Sequence, residues 1–452
     1  MNASWENLNV LAADVVARVN ARGATEADVL VAEGDSVAVQ VRLSAVDRLS
    51  KAREKRLGLR VFFGKRSASA STSDFSNVSL EQLVDDTCAF AKAVAEDETS
   101  GLPEEAAMVT DVPDLDLYDP TTPTVEEEIE WAQRAERAAM GVDPRMTNSE
   151  GAECASSRGT VVLANTHGFV GAYRSSRFSL VVTPVVEGTN GQGMQQDSWY
   201  TVSRKWHTLE TPEAVGTRAA ERALRRLGAR KVETQRVPVV FDPHIAESLL
   251  GHLSSAVSGY ALYKGASFLQ GCLGRSIAPA HVNIEDNGRM PGGLGSRPFD
   301  GEGVPTRKTM IVEHGVLSSY LLDTYSGKKL GMASTGNASR SLGDNPSVSP
   351  TNLFLHPGDV SSEDVIRSVK QGLYVTELIG FGVNMVTGDY SRGASGFWIH
   401  DGELAYPVQE ITIAGNLQQM FQDMELIGND LEFRGSLASP TVKIREMMVG
   451  GR

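Results

Sequence analysis

The sequence predicts an α+β protein in two parts, an N-terminal α+β domain (residues 1–232) and a second domain (233–452). Three observations carry this. Helix-period and strand-period stretches alternate irregularly, which favours α+β over a doubly wound sheet. A short charged segment, Lys231 to Arg236, separates a finished helix from a new apolar strand. Past it the pattern changes to glycine-rich stretches, several hairpins and few helices.

A first amphipathic helix is expected from about Trp5 to Arg22, with Leu8, Leu11, Ala12, Val15, Val16 and Val19 as its apolar stripe and Gly23 as its stop. Ser36 to Leu43 alternates strictly, so one face of that strand is buried and the other wet. Leu57 to Gly64 reads as a second strand, and Ser67 to Asp74 as a small-residue edge strand. Ser79-Leu80-Glu81-Gln82 has the form of a capping box opening a helix to about Glu96, with Cys88 as a small core residue. Gly101 to Pro123 is rich in Pro and Asp and reads as an extended surface connection. Thr124-Val125-Glu126-Glu127 is a second capping box, for a helix to about Met140. Strands follow between Gly159 and Val202, with a hairpin turn at Asn165-Thr166-His167-Gly168. Thr211-Pro212-Glu213 starts another helix, which Gly228 stops. In the second part, Glu313-His314-Gly315-Val316 and His400-Asp401-Gly402-Glu403 are hairpin turns, and short helices fall at Ser361 to Gln371 and Asn416 to Met424.

Composition sets bounds. The chain has 452 residues, enough for a large core, and is 41% hydrophobic and 22% charged, which is ordinary for a soluble globular protein. Its net charge of −14 disfavours nucleic acid and acidic membrane partners. Cys88, Cys154 and Cys272 are too few and too scattered for a disulfide framework or a cysteine-rich metal site. Reduced thiols, no signal-like N-terminus and no membrane-length apolar run lead to an expected cytoplasmic location.

One stretch organises the second part. Val239-Val240-Phe241 is a short strand; Asp242 caps the helix that follows, and Pro243 suits its first turn. Ile245, Leu249, Leu253, Ala256 and Tyr260 recur at helical spacing, with His252 among them. This stretch resembles the TldD/PmbA family, also called modulators of DNA gyrase. The resemblance covers nearly the whole chain, is strongest in its C-terminal half, and is carried by three segments: Ser296 to Val304 (SRPFDGEGV), Val386 to Trp398 (VTGDYSRGASGFW) and Ile411 to Leu417 (ITIAGNL). They point to the PmbA (TldE) branch. The resemblance implies a second domain built on a curved, barrel-like mixed sheet.

Catalytic members of that family carry His-Glu-x-x-x-His on this helix and a third zinc ligand, a cysteine, near the C-terminus. With the last histidine of the motif placed on His252, the first falls on Glu247 and the catalytic Glu on Ser248. Glu247 could in principle bind a metal, but Ser248 cannot act as the motif's base, and no cysteine follows Cys272. The expectation is therefore no catalytic residue, no metal and no cofactor in this chain, with zinc in a TldD-type partner. His252 is expected to be a hydrogen-bonded core histidine.

The glycine-rich stretch Gly388 to Gly396 is expected to be a loop where backbone passes close to a neighbour. Asp389, Tyr390 and Arg392 in it are the candidate substrate-binding residues. Arg392 either grips a peptide carboxylate or pairs with Asp389 to hold a turn. Taken together, the resemblance implies the non-catalytic subunit of a cytoplasmic TldD/TldE-type peptidase acting on unfolded or small peptides, inactive without its partner. That partner would be of the same fold and be met mainly through the second domain, with a homodimer when the chain is alone. The alternatives are a self-sufficient metallopeptidase with a non-standard zinc site and a DNA-gyrase modulator.

Overall fold

The structure, a computed structural model, describes residues 3–189 and 193–451. Its N-terminal part comprises α1 (Ala3–Ala21), β1 (Glu26–Arg42), β2 (Ala45–Phe63), β3 (Arg66–Thr72), α2 (Asn77–Ala93), α3 (Val125–Met140), β4 (Met146–Asn165), β5 (Val170–Glu187), β6 (Met194–Gln196), β7 (Trp199–Ser203) and α4 (Pro212–Arg225). The seven strands form one antiparallel sheet in the order β3-β2-β1-β4-β5-β6, with β7 also on β5. Alternation along β1 explains the layering. Val29 and Val31 pack under α1 and α2, and Val39 and Val41 under α3 and α4. The residues between them point the other way: Leu30 joins Leu163, Phe169 and Phe299 in a cluster shared with the second part.

Several local expectations hold. The Thr124–Glu127 capping box is formed in both directions, and Thr211 caps α4 with Pro212 at its start. The small-residue strand β3 lies at the sheet edge. Cys88 is buried in the core. Two expectations for this N-terminal part do not hold. The cap of α2 is Ser76, not Ser79, because Asp74 accepts from the Ser76 N–H and from both serine hydroxyls and starts the helix a turn earlier. Glu81 pairs instead with Arg18 and Arg22 of α1. The connection between 101 and 123 is extended but not all at the surface, since Leu102, Met108, Val109, Leu115 and Leu117 are buried along it.

The second part begins with β8 (Gln235–Phe241), α5 (Pro243–Ala256) and α6 (Gly259–Tyr263). Then come β9 (Ile284–Asn287), β10 (Lys308–Glu313), β11 (Val316–Leu317), α7 (Thr324–Leu330), β12 (Ala338–Ser339), β13 (Ser347–Val348), β14 (Leu353–Leu355) and α8 (Ser362–Arg367). It finishes with β15 (Gln371–Ile379), β16 (Asp389–His400), β17 (Glu403–Asn416), α9 (Leu417–Gln422), β18 (Met424–Ile427), β19 (Leu437–Ala438) and β20 (Val442–Gly450). Strands run in the order β17-β16-β15-β8-β20, and β17 pairs back onto β20 through Thr412 and Gly450. This closes a five-strand barrel, the curved mixed sheet that the family resemblance implied. Both expected hairpin turns are present, with His314 and Asp401 at positive φ, each followed by a glycine, as two-residue turns of this hand require. A second sheet, β11-β10-β9-β14-β19, packs into the same core.

The stretch 388–396 is not a loop. It is the first two-thirds of β16, in the interior of the barrel sheet. Its small residues serve the close approach of strands instead: a Cβ on Gly396 would lie 1.9 Å from the Tyr374 carbonyl oxygen, beside bulges in both neighbouring ladders. Only Gly388, at φ +80°, makes a turn.

A buried ion network joins the two parts. The Arg60 guanidinium donates to Asp28 at 2.5 Å and lies 3.3 Å from Glu302, while Arg340 pairs with Asp28 from the other side. Asp28 and Arg60 are cross-strand partners on β1 and β2; Glu302 and Arg340 belong to the second part. Glu302 also accepts from the Thr324 N–H at the start of α7.

Candidate functional site

Helix α5 is positioned by its first residue outside the helix. Asp242 accepts from the His244 N–H at 3.1 Å, and its second oxygen accepts from the Tyr374 hydroxyl of β15 at 2.7 Å. The cap therefore also ties the helix to the barrel. Ala246, Leu249, Leu250, Leu253 and Ala256 form the buried face. The helix ends at Ala256, so Tyr260 lies on the separate helix α6. The break comes where the Gly259 N–H turns to the Leu321 carbonyl, at a place where a Cβ would meet Ser326 Oγ at 2.3 Å.

The three motif positions go to three different environments. The Glu247 side chain makes no hydrogen bond or ion pair among the described residues, and burial pushes its carboxyl up to about 7. Ser248 donates its hydroxyl to the Ile245 carbonyl at 2.6 Å, so its one donor is spent inside the helix. His252 lies five residues past Glu247, about 140° around a regular helix. Its Nε2 is buried without a hydrogen-bond partner among the described residues, contrary to the expected hydrogen-bonded core histidine. The reason is its neighbour: the ring stands edge-on to Tyr390, with centroids 5.9 Å apart and planes at 78°. Burial, followed by the charge of Arg392, holds the His252 imidazole below its ordinary value.

These residues do not fit a zinc ion. One motif position is an alcohol already bonded to its own helix, and the other two diverge. Among the described residues, no three His, Cys, Asp or Glu side chains converge as metal ligands. The C-terminal segment Gly428 to Thr441, where the resemblance leads one to expect the third ligand, holds no cysteine.

Strand β16 brings the sequence candidates Tyr390 and Arg392 together and leaves Asp389 apart. Tyr390 and Arg392 are two apart on a strand, so they share a face, and Asp389 has the opposite one. Tyr390 is 2% exposed, and its buried hydroxyl has no partner among the described residues. Burial pushes that phenol up to about 12. Arg392 makes one long contact, Nε to the Ile379 carbonyl at 3.4 Å, and has no carboxylate partner among the described residues. The Asp389–Arg392 pair is not formed. Asp389 instead accepts from the Thr387 hydroxyl at 2.6 Å and from Asn416, which orders the turn before the strand.

Sequence reasoning missed a second feature, a cleft of about 680 Å³ between α4 and the start of α5. His244 meets the edge of Trp199 there, with centroids 5.0 Å apart. The Arg434 guanidinium covers Trp199 at 4.2 Å, and Arg218 does so at 4.6 Å. Arg434 is 7% exposed and ties Glu210, Glu432 and the Tyr200 carbonyl. It sits in the segment read only for its missing cysteine. A lone arginine among Gly, Ser and Asn residues was the available signal.

With this geometry in hand, known proteins give a consistent comparison. Profiles of the PmbA/TldA metallopeptidase match domain 1 over residues 27–95, the central domain over 118–227 and the C-terminal domain over 234–451. The chain is similar to Metalloprotease PmbA of Escherichia coli O157:H7, at 38% identity over 426 residues, 94% of this chain and 92% of that one. It is as similar to a Haemophilus influenzae homologue of PmbA, at 38% over 430 residues. Among solved structures, a protein of Bacteroides thetaiotaomicron described as a modulator of DNA gyrase superposes with a TM-score of 0.91 at 28% identity, covering 98% of both chains. TldE of Thermococcus kodakarensis shares the fold, with a TM-score of 0.84 at 21% identity.

Proposed function

The chain belongs to the PmbA/TldD metallopeptidase family, in its PmbA/TldE branch, and from that premise we propose that it is the non-catalytic subunit of a two-component peptidase. One observation supports this above the others: the position of the motif's catalytic Glu is Ser248, whose hydroxyl is bonded into its own helix. A zinc peptidase needs at least three protein ligands, an open coordination position and a base. Neither the α5 positions nor the C-terminal segment offers them. In this reading the metal belongs to a TldD-type partner of the same fold. This chain completes the cavity in the cytoplasm, and its second domain faces the partner and helps to hold an unfolded or small peptide.

The test is direct. The pure chain should carry no stoichiometric zinc and should not hydrolyse peptides. Adding a TldD-type protein from the same cell should give a complex that does, with chelator-sensitive activity. About one tightly held zinc per chain, with peptidase activity of the chain alone, would instead establish the self-sufficient alternative. The gyrase-modulator alternative has the −14 net charge against it. A salt-dependent shift of DNA by the pure chain would revive it.

A further inference from the structure

Tyr390, His252 and Arg392 leave an unusual amount of hydrogen-bonding capacity unused in one place. The Tyr390 hydroxyl and His252 Nε2 are both buried and both without a partner among the described residues, on rings that meet edge to face. Buried polar groups are nearly always satisfied, so two orphans on rings whose centroids lie 5.9 Å apart ask for a missing partner. Arg392 lies on the same strand face as Tyr390, and its contact with Ile379 is too long to commit the guanidinium. The chain carries 57 acidic residues against 43 Lys and Arg, so a carboxylate for Arg392 is easily had, yet none of the described residues supplies one.

The charge environment selects the ligand. Among the described residues, Arg392 is the one charged group that acts on either ring, and no acid does. Asp389, the nearest acid in the chain, faces away and is held by Thr387 and Asn416. A cation is therefore repelled, and a neutral partner leaves the guanidinium unused. A carboxylate accepts from the phenol, from the imidazole N–H and from the planar guanidinium at once.

We propose that Tyr390, His252 and Arg392 form a binding site for a peptide carboxylate. Arg392, half-exposed, meets the carboxylate first and swings from Ile379 onto it; the buried phenol and imidazole complete the grip. Ile379 and Phe381 expose apolar side chains beside it, Phe381 to 98%, which suits an apolar residue next to the carboxylate. This inference rests on the reading of the chain as a peptide-holding subunit, but it concerns the chain alone and is measured without the partner.

The experiment is calorimetric titration of the full-length chain with acetyl-Ala-Ala-Phe as the free acid and as the C-terminal amide, with the His252 imidazole signals followed by NMR. The free acid should bind at least tenfold more tightly than the amide and shift the His252 signals. Arg392→Gln should abolish that preference. Tyr390→Phe should weaken binding severalfold while leaving the melting temperature unchanged or higher, because an orphan hydroxyl has gone. An amide carrying an internal Glu that binds as tightly as the free acid keeps the carboxylate site but assigns it to acidic side chains rather than chain ends. Equal binding of acid and amide overturns the proposal. So does a Tyr390→Phe variant that melts lower and binds unchanged, since the hydroxyl then serves the core. A chain that binds the acid yet assembles with no TldD-type protein overturns the subunit reading and leaves this site standing.

Discussion

His252 stands edge-on to Tyr390 across the α5–β16 contact, and among the described residues neither ring's buried polar atom finds a hydrogen bond. Protonation of the imidazole is opposed first by burial and then by the charge of Arg392. A histidine held below its unfolded value, about 6.5, binds fewer protons in the folded state than in the unfolded one as pH falls. Its contribution is present above pH 6.5 and is lost as pH falls from there through the lowered folded value. His244 shifts in the same direction, chiefly by burial. The His252→Leu variant should lose stability less steeply than the parent between pH 6.5 and 5, in urea denaturation at several pH values.

Glu247 gives the opposite slope. Burial raises its carboxyl to about 7, so the folded state holds a proton that the unfolded state gives up near pH 4.3. Its contribution is present below the unfolded value and is lost as pH rises to about 7. Glu247→Gln keeps the neutral shape. It should match the parent at pH 4 and exceed it at pH 8 by on the order of 1 kcal/mol, once the group's remaining solvent contact is discounted.

The Asp28 network should be sensitive to loss of one member. Asp28→Ala leaves Arg60 and Arg340 buried without their shared carboxylate, and should cost roughly 3–5 kcal/mol in denaturant unfolding. Replacing the whole network by apolar residues of similar volume should cost far less.

Arg392 and Asp389 should be independent. Asp389→Ala removes the contacts to Thr387 and Asn416 and should cost about 1 kcal/mol. Arg392→Gln breaks no ion pair and should change stability by less than about 0.5 kcal/mol. The double variant should equal the sum of the two, whereas a structural Arg–Asp pair would give a clear coupling energy.

Much of the fold was legible where local chemistry decides it. The Asp242, Thr124 and Thr211 caps and the glycine-bearing hairpin turns follow from side chains that bond their own neighbourhood. The misreadings share a cause in partners distant in sequence. Glycines at 393 and 396 look like a loop until Tyr374 and Ile379 are seen against them. His252 looks like a hydrogen-bonded histidine until Tyr390 arrives from a strand more than a hundred residues later. Tyr390 and Arg392 were visible as candidates, but strand alternation, unknown from a presumed loop, was needed to separate Asp389 from them. Arg434 and Trp199 meet only because the two parts of the chain pack together.

Barrel closure has a consequence for biosynthesis. The strand that opens the second part, β8, lies between β15 and β20, and it pairs with β20 from Gln235 against Val449 to Phe241 against Val442. The first strand of the barrel must therefore wait, with one edge unsatisfied, until its last has left the ribosome. The seven-stranded sheet, whose pairings all lie upstream, is under no such delay. Such long-range closure makes for slow folding, and an exposed strand edge is open to foreign pairing in the interval. Nascent chains stalled between β17 and β20 should therefore be the ones that most need chaperones.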